Sequence, residues 1–98
     1  MPRHLILGLV TLKPGNRPAA EQIADRGAPG IAQQPGYEGV TFFIDEERNV
    51  YGAVSFWESR EAAEQANDVL TPQFEQAFGD LLVGSIDTRI YEVYEHKQ

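Results

Sequence analysis

The 98-residue chain is long enough for one domain, and its composition (42% hydrophobic, with five Phe, four Tyr and one Trp) is typical of a globular fold. The eight basic residues are outnumbered by fifteen acidic ones, and the net charge of −7 argues against nucleic acid as a partner, because phosphate binding needs clustered Lys and Arg. The chain has no cysteine, which excludes disulfides and thiolate chemistry and fits a reducing, cytoplasmic location. We therefore expect a single cytoplasmic domain over residues 1–98.

The first predicted strand covers residues 3–13, RHLILGLVTLK, and a turn signal, KPGN, overlaps its end. This run is far shorter than the ~20 residues that span a bilayer, and no small-residue cleavage site follows it, so neither a membrane span nor a signal peptide is predicted. The next segment has Pro18 where the first turn of a helix tolerates it. The GAPG sequence at 27–30 predicts that this helix is short or irregular beyond about Arg26.

The middle of the chain reads as a β-hairpin followed by a second helical region. Strands at 37–45 and 50–57 are joined by the polar residues EERN, a common hairpin length. Ser59 is a suitable N-cap, and the Thr-Pro pair at 71–72 repeats a helix-start signal, so we expect two helical pieces, about 59–69 and 72–80, with a bend between them. The β-branched and aromatic run SIDTRIYEVYE predicts the last strand.

This β-α-β-β-α-β order predicts the ferredoxin-like α+β fold, with a four-stranded antiparallel sheet and both helical regions on one face. Side chains along a strand alternate between the two faces of a sheet, which splits the second strand into two sets. One set is Tyr37, Gly39, Thr41 and Phe43, and the other is Glu38, Val40, Phe42 and Ile44. Apolar residues occur in both sets, and the neighbouring strands show the same property.

Two helices cover only one face of such a sheet, so the other face needs a different cover. An uncovered face would expose more apolar surface than monomers usually show. We predict that a second copy of the chain covers it, giving a homodimeric α+β barrel with the helices outside. A different protein partner, or a small patch hidden by the C-terminal tail, is the alternative.

Several stretches resemble the antibiotic biosynthesis monooxygenase family of dimeric α+β barrel proteins. They are the Pro-Gly pair at 35–36 before an aromatic residue, the run FWESREAAEQA at 56–66, and the final YEVYE. The resemblance implies one of several activities. Some members are similar to cofactor-free monooxygenases that oxidise aromatic polyketide phenols, some degrade haem, and many have no known activity.

The haem-degrading branch needs an Asn on the first strand, a Trp at the end of the third strand and a His on the second helix. Trp57 matches, but Gly8 stands where the Asn is expected, and the only histidines, His4 and His96, lie near the termini. We therefore expect no cofactor. We also expect no metal site, because the acidic run at 45–47 is typical of a solvated turn.

A cofactor-free oxygenase needs an apolar cavity for an aromatic ligand and polar groups that orient it. The candidate substrate-binding residues are Trp57, Arg89, Tyr91, Tyr51 and Asn67. Each has a simpler interpretation: core packing for Trp57, packing at the dimer interface for the two tyrosines, solvation for Asn67, and an ion pair with Asp87 for Arg89.

Two functional hypotheses follow from these residues. The first is a cofactor-independent monooxygenase that acts on an aromatic or polyketide-like small molecule. The second is a non-catalytic, ligand-binding or stress-related barrel. An open pocket beside Trp57 with a Tyr or Arg89 pointing inward favours the first, whereas closure of that space by Phe42, Phe56, Phe74 and Phe78 favours the second.

Overall fold

The computed structural model describes residues 2–97, so the first and last residues of the predicted domain, Met1 and Gln98, lie outside the described part. The elements are β1 His4–Thr11, α1 Arg17–Ala32, β2 Tyr37–Asp45, β3 Val50–Trp57, α2 Arg60–Phe78 and β4 Asp87–Glu92. The strands form one antiparallel sheet in the order β2-β3-β1-β4, with both helices on one face. This confirms the predicted ferredoxin-like fold. No helix within residues 2–97 is long and apolar enough to cross a bilayer.

Helix α1 continues to Ala32, so the prediction that it becomes irregular beyond Arg26 is wrong. Pro29 lies in the last turn, and Ile31, which is 4% exposed, joins the main apolar cluster. Burying an Ile side chain stabilises by about 1.5–3 kcal/mol, which offsets much of the cost of Gly and Pro in a helix. Gly27 is also where the helices approach, because a Cβ atom there would lie 2.5 Å from Cζ of Phe74.

Helix α2 is continuous through Pro72, whereas the sequence predicted two pieces with a bend. The predicted N-cap is confirmed, since the Ser59 hydroxyl accepts a hydrogen bond from the amide of Ala62 at 3.1 Å. Buried residues lie on both sides of the proline, with Leu70 before it and Phe78 after it. Packing of both halves against the same sheet keeps the helix continuous despite the hydrogen bond that Pro72 cannot donate.

The hairpin strands have the predicted bounds, but an irregularity near Glu38 changes the face on which Tyr37 lies. The register pairs Tyr37 with Trp57 and then Gly39 with Phe56, so one extra residue is accommodated in β2. The strict alternation that placed Tyr37 with Phe43 is therefore wrong at this residue. The Tyr37 ring instead meets the Trp57 ring edge-on, at 5.9 Å between centroids.

The apolar core lies between the helices and one face of the sheet. One cluster is centred on Trp57, which is fully buried, and the other on Leu12, which is 1% exposed. Phe74 of α2 packs against both clusters. Between the two clusters the sheet carries small side chains, and this leaves the space described next.

Candidate functional site

A cavity of about 540 Å³ lies between the helix-facing side of the sheet and the two helices. Its floor is the row of paired residues Thr88, Gly8, Ala53 and Phe42, which crosses all four strands. The two central residues of this row are small. A Cβ atom built on Gly8 would have only Cγ2 of Thr88 within 4 Å, at 3.9 Å, so the space above it is open. The volume is in the range that binds small organic molecules.

Strand β3 supplies two hydroxyl groups to the cavity, from Tyr51 and Ser55 on either side of Ala53. Tyr51 is 5% exposed, and its hydroxyl has no hydrogen-bond partner among residues 2–97. Because no buried side-chain oxygen of the described residues lacks a partner, this hydroxyl is accessible and can bond to a ligand in the cavity. Ser55 accepts a hydrogen bond from Nε1 of Trp57 at 2.9 Å, which leaves its own proton free to donate.

Helix α2 places a polar pair in the opposite wall of the cavity. The Thr71 hydroxyl donates to Oδ1 of Asn67 at 2.9 Å, one turn away on the same helix. This bond fixes the side-chain amide and leaves the Asn67 NH₂ group as a donor. The surrounding wall is apolar, formed by Leu70, Phe74 and Phe78.

The mouth of the cavity lies between α1 and the edge strand β2, because the exposed lining residues all belong to these two elements. They are Glu21 and Asp25 on α1, and Phe42 and Ile44 on β2. No Lys, Arg or His is found in the lining formed by residues 2–97.

Helix α1 carries two arginines near these carboxylates. Arg26 follows Asp25 in the chain but does not line the cavity. The Arg17 guanidinium donates to Glu46 at 2.8 Å and to Glu21 at 3.3 Å. These bonds, first to Glu46 and then to Glu21, raise the pKa of the Arg17 guanidinium above its usual value.

The five candidate residues from the sequence divide into three groups in the structure. Tyr51 and Asn67 line the cavity, on β3 and α2. Trp57 is fully buried beyond its end and contacts the lining through Ser55. Arg89 and Tyr91 do not line it, because their register opposite Leu7 and Leu5 turns them to the face away from the helices.

Arg89 forms an ion pair with Asp87 on this outer face, at 3.4 Å between Nε and Oδ1. Tyr91 is 48% exposed there. Thr88 and Ile90, two of the three even-numbered residues of β4, face the helices, so alternation along a short strand decides which side chains reach the cavity.

The phenylalanines leave the cavity open. Phe42, Phe74 and Phe78 form its walls, whereas Phe56 lies on the outer face with the Arg3 guanidinium 5.2 Å from its ring centroid. Within residues 2–97 there is no group of three His, Asp or Glu side chains arranged to hold a metal ion.

Sequence reasoning missed the residues that create the space, Gly8 and Ala53, and the carboxylates at its mouth, Glu21 and Asp25. A glycine inside the otherwise apolar run LILGLVTL was the available signal, since glycine within a strand often marks close approach of another group. The carboxylates are four residues apart on a helix and therefore share one face, but the sequence does not show which way that face points.

Comparison with known proteins gives one family and a consistent fold. Residues 4–80 match the model of the family described as antibiotic biosynthesis monooxygenase. No curated protein matches the sequence significantly.

Solved structures of the same fold cover nearly the whole chain. SnoaB, a cofactor-independent oxygenase from Streptomyces nogalater, is 18% identical with a TM-score of 0.75, and the match covers 98% of this chain and 97% of that one. A protein of unknown function from Nitrosomonas europaea is 13% identical, with a TM-score of 0.79 over 100% and 95% of the two chains. A protein from Mycobacterium tuberculosis is 11% identical, with a TM-score of 0.77 over 98% and 99%. The TM-scores show a shared fold, and identities this low show nothing beyond the fold.

Proposed function

Because the chain belongs to the antibiotic biosynthesis monooxygenase family, we propose that it is a cofactor-independent monooxygenase acting on an aromatic or polyketide-like molecule. The observation that carries this proposal is the hydroxyl of Tyr51, a residue only 5% exposed, which is left without a partner among residues 2–97 and is accessible in an open apolar cavity. SnoaB, of the same fold, is described as a cofactor-independent oxygenase, which supports the reaction type.

The cavity suits a flat aromatic molecule that carries a phenol or ketone oxygen. Its walls are largely aliphatic and aromatic, so the ring system gains from leaving water. The hydroxyls of Tyr51 and Ser55 and the amide of Asn67 are the donors that can orient the oxygen. In this proposal Trp57 is a positioning residue, because its indole N–H fixes the Ser55 hydroxyl that meets the ligand.

The reaction expected in such a cavity is the conversion of an activated CH₂ group, as in an anthrone, to a carbonyl. The substrate loses a proton to solvent at the open mouth of the cavity, giving a delocalised carbanion. The carbanion adds O₂, and the resulting peroxide anion takes a proton from solvent to form a hydroperoxide. Loss of water then leaves a quinone. One oxygen atom of O₂ enters the product and the other leaves as water, and the substrate itself supplies both electron pairs.

The protein helps the first step by stabilising negative charge on the substrate oxygen. Hydrogen-bond donors fixed in a site that excludes water favour the charged state that forms during proton removal. Tyr51 is the best placed of these, since its hydroxyl has no competing partner within residues 2–97.

The test is oxygen uptake by the purified protein with anthrone, followed together with quinone formation and hydrogen peroxide release. We expect one O₂ consumed per quinone without peroxide, at a rate above that of the protein-free control. Tyr51→Phe should lower kcat/KM by at least about tenfold, the order expected for one lost donor to a developing charge.

A matched control is Tyr94→Phe, which removes the same hydroxyl from a residue that is 77% exposed and outside the cavity. It should leave kcat/KM unchanged. Failure of anthrone and related tricyclic phenols to increase oxygen uptake above the protein-free rate would contradict the proposal.

One observation favours the second hypothesis, a barrel that binds ligands without catalysis. The lining formed by residues 2–97 contains no cationic side chain to stabilise a carbanion, and two carboxylates lie at its mouth. In that case tricyclic ligands raise the melting temperature of the protein and quench the fluorescence of Trp57, but oxygen is not consumed.

For the assembly, we propose a homodimer formed through the face of the sheet that the helices leave uncovered. Its centre carries Leu7 and Leu9 of β1 and Val54 of β3, all partly exposed in the single chain. Its rim is charged: Arg3 bridges Glu38 and Glu95 at 2.6 and 3.3 Å. An apolar centre with a polar rim is typical of protein interfaces.

Light scattering at micromolar concentration tests this assembly and should give twice the chain mass. Leu7→Arg should give monomers, because a two-fold axis would bring two buried charges together. Val69→Arg changes an exposed apolar residue on α2 and should leave the dimer intact. A wild-type mass of one chain would contradict the proposal.

A further inference from the structure

The charges around the cavity mouth restrict the class of molecule that enters. Glu21 and Asp25 lie one helical turn apart on α1 and both line the cavity. Facing them across the mouth are the apolar side chains of Phe42 and Ile44. A ligand that enters therefore passes between two carboxylates on one side and two apolar groups on the other.

The two carboxylates differ in their partners. Arg17 donates to Glu21 at 3.3 Å and more closely to Glu46, at 2.8 Å, so its charge is shared between two acids. Asp25 has no ion-pair partner among residues 2–97. With Arg26, which follows Asp25 in the chain but does not line the cavity, the five groups Arg17, Glu21, Asp25, Arg26 and Glu46 sum to a charge of −1, and the whole chain carries −7. The local and overall potentials thus repel anions.

The interior offers a second, independent indication of a ligand. Tyr51 is 5% exposed, its hydroxyl is accessible and has no partner among residues 2–97, and no lining side chain from the described part of the chain is cationic. A carboxylate, sulfate or phosphate group would thus lose its water without gaining an opposite charge, which is costly. A neutral ring oxygen would instead meet the donors on β3.

Together these features indicate the charge class of the substrate, meaning whether it is anionic, neutral or cationic. This inference rests on the proposed function of the cavity. We propose that the site takes planar aromatic molecules without negative charge, and that it prefers those with a protonated amine, which would lie at the mouth against Asp25 and Glu21 while the rings fill the cavity.

Three anthracene derivatives that differ only in one substituent test this: 9-(aminomethyl)anthracene, 9-anthracenemethanol and 9-anthracenecarboxylate. Energy transfer from Trp57, the only tryptophan, reports binding of each. We expect the amine probe to bind most tightly and the carboxylate probe most weakly. The Kd of the carboxylate probe should exceed the Kd of the amine probe roughly tenfold, the order expected from two exposed protein carboxylates. Added salt should reduce this ratio, because it screens exposed charges.

The variants Asp25→Asn and Glu21→Gln should each lower the ratio of the carboxylate-probe Kd to the amine-probe Kd by roughly threefold. The double variant should bring this ratio close to one. The matched control is Glu64→Gln, which removes one negative charge from an exposed site on α2 outside the cavity. This control should keep the full preference of the wild-type protein.

The outcomes separate this inference from the proposed function. Equal binding of the three probes, or a preference that survives in the double variant, overturns the charge class, while oxygen uptake with neutral anthrone would still support the enzyme. Preference for the amine without oxygen uptake supports the charge class and contradicts the monooxygenase. Binding of no probe overturns both, because the cavity then does not take tricyclic molecules.

Discussion

The two faces of the sheet are built from neighbouring residues of the same strands, yet they serve different purposes. The helix-facing side is packed around Trp57 at one end and is open in the middle, over Gly8 and Ala53. The outer side is apolar at its centre, where Leu7 and Val54 are paired, and charged at its edges. One face thus encloses a cavity, and the other presents a surface. A strand that is apolar on both sides can supply both features.

Two adjacent residues of β3 that lie on opposite faces should differ most in their contribution to stability. Trp57→Ala should lower the free energy of unfolding by about 3–5 kcal/mol, because it leaves a cavity in a fully buried site. Phe56→Ala, on the outer face, should cost about 1 kcal/mol in a monomer, where the ring is partly exposed. Urea unfolding measures both values.

Repeating the urea unfolding at several protein concentrations tests whether the outer face that carries Phe56 is covered by a second copy of the chain. If a second copy covers the outer face, the cost of Phe56→Ala should rise with protein concentration, whereas a concentration-independent cost would indicate an uncovered face. A Trp57→Ala cost no larger than that of Phe56→Ala would contradict the assignment of the core to the helix side.

An intermediate effect compares two glycines whose missing Cβ atoms point to opposite faces. At Gly52 a Cβ atom would contact the Phe43 ring and lie 2.7 Å from the Gly8 carbonyl oxygen, so Gly52→Ala should destabilise by about 1–3 kcal/mol. Gly8→Ala enters open space and should stabilise by about 0.5–1 kcal/mol, since alanine restricts the unfolded chain. Thermal unfolding distinguishes the signs, and equal destabilisation would argue against an open floor.

The smallest effect concerns Arg89, whose ion pair with Asp87 is exposed on the outer face. Arg89→Ala should change stability by less than about 1 kcal/mol, as is usual for exposed pairs, and should leave anthrone binding unchanged. Fluorescence titration checks the binding. A loss of affinity of about tenfold in this variant, the order of one lost hydrogen bond to a charged group, would mean that the outer face contributes to the ligand site.

Much of the fold could be predicted from the sequence because strand-forming runs, turn residues and helix-capping residues all indicated the same order of elements. The strands at 37–45 and 50–57 have the predicted bounds, and Ser59 caps α2 as expected. The errors occurred where tertiary packing outweighed local propensity, in helices that continue past or through Pro29 and Pro72 because residues beyond them are buried.

The element order, the family resemblance and the apolar character of both sheet faces follow from the amino-acid sequence alone. These properties depend on residue type and on periodicity along the chain. Which polar residues meet depends on strand register and on the orientation of each helix, so it followed only from the folded chain. Folding brought Tyr51 and Asn67 to one cavity, turned Arg89 and Tyr91 away from it, and placed Asp25 at its mouth.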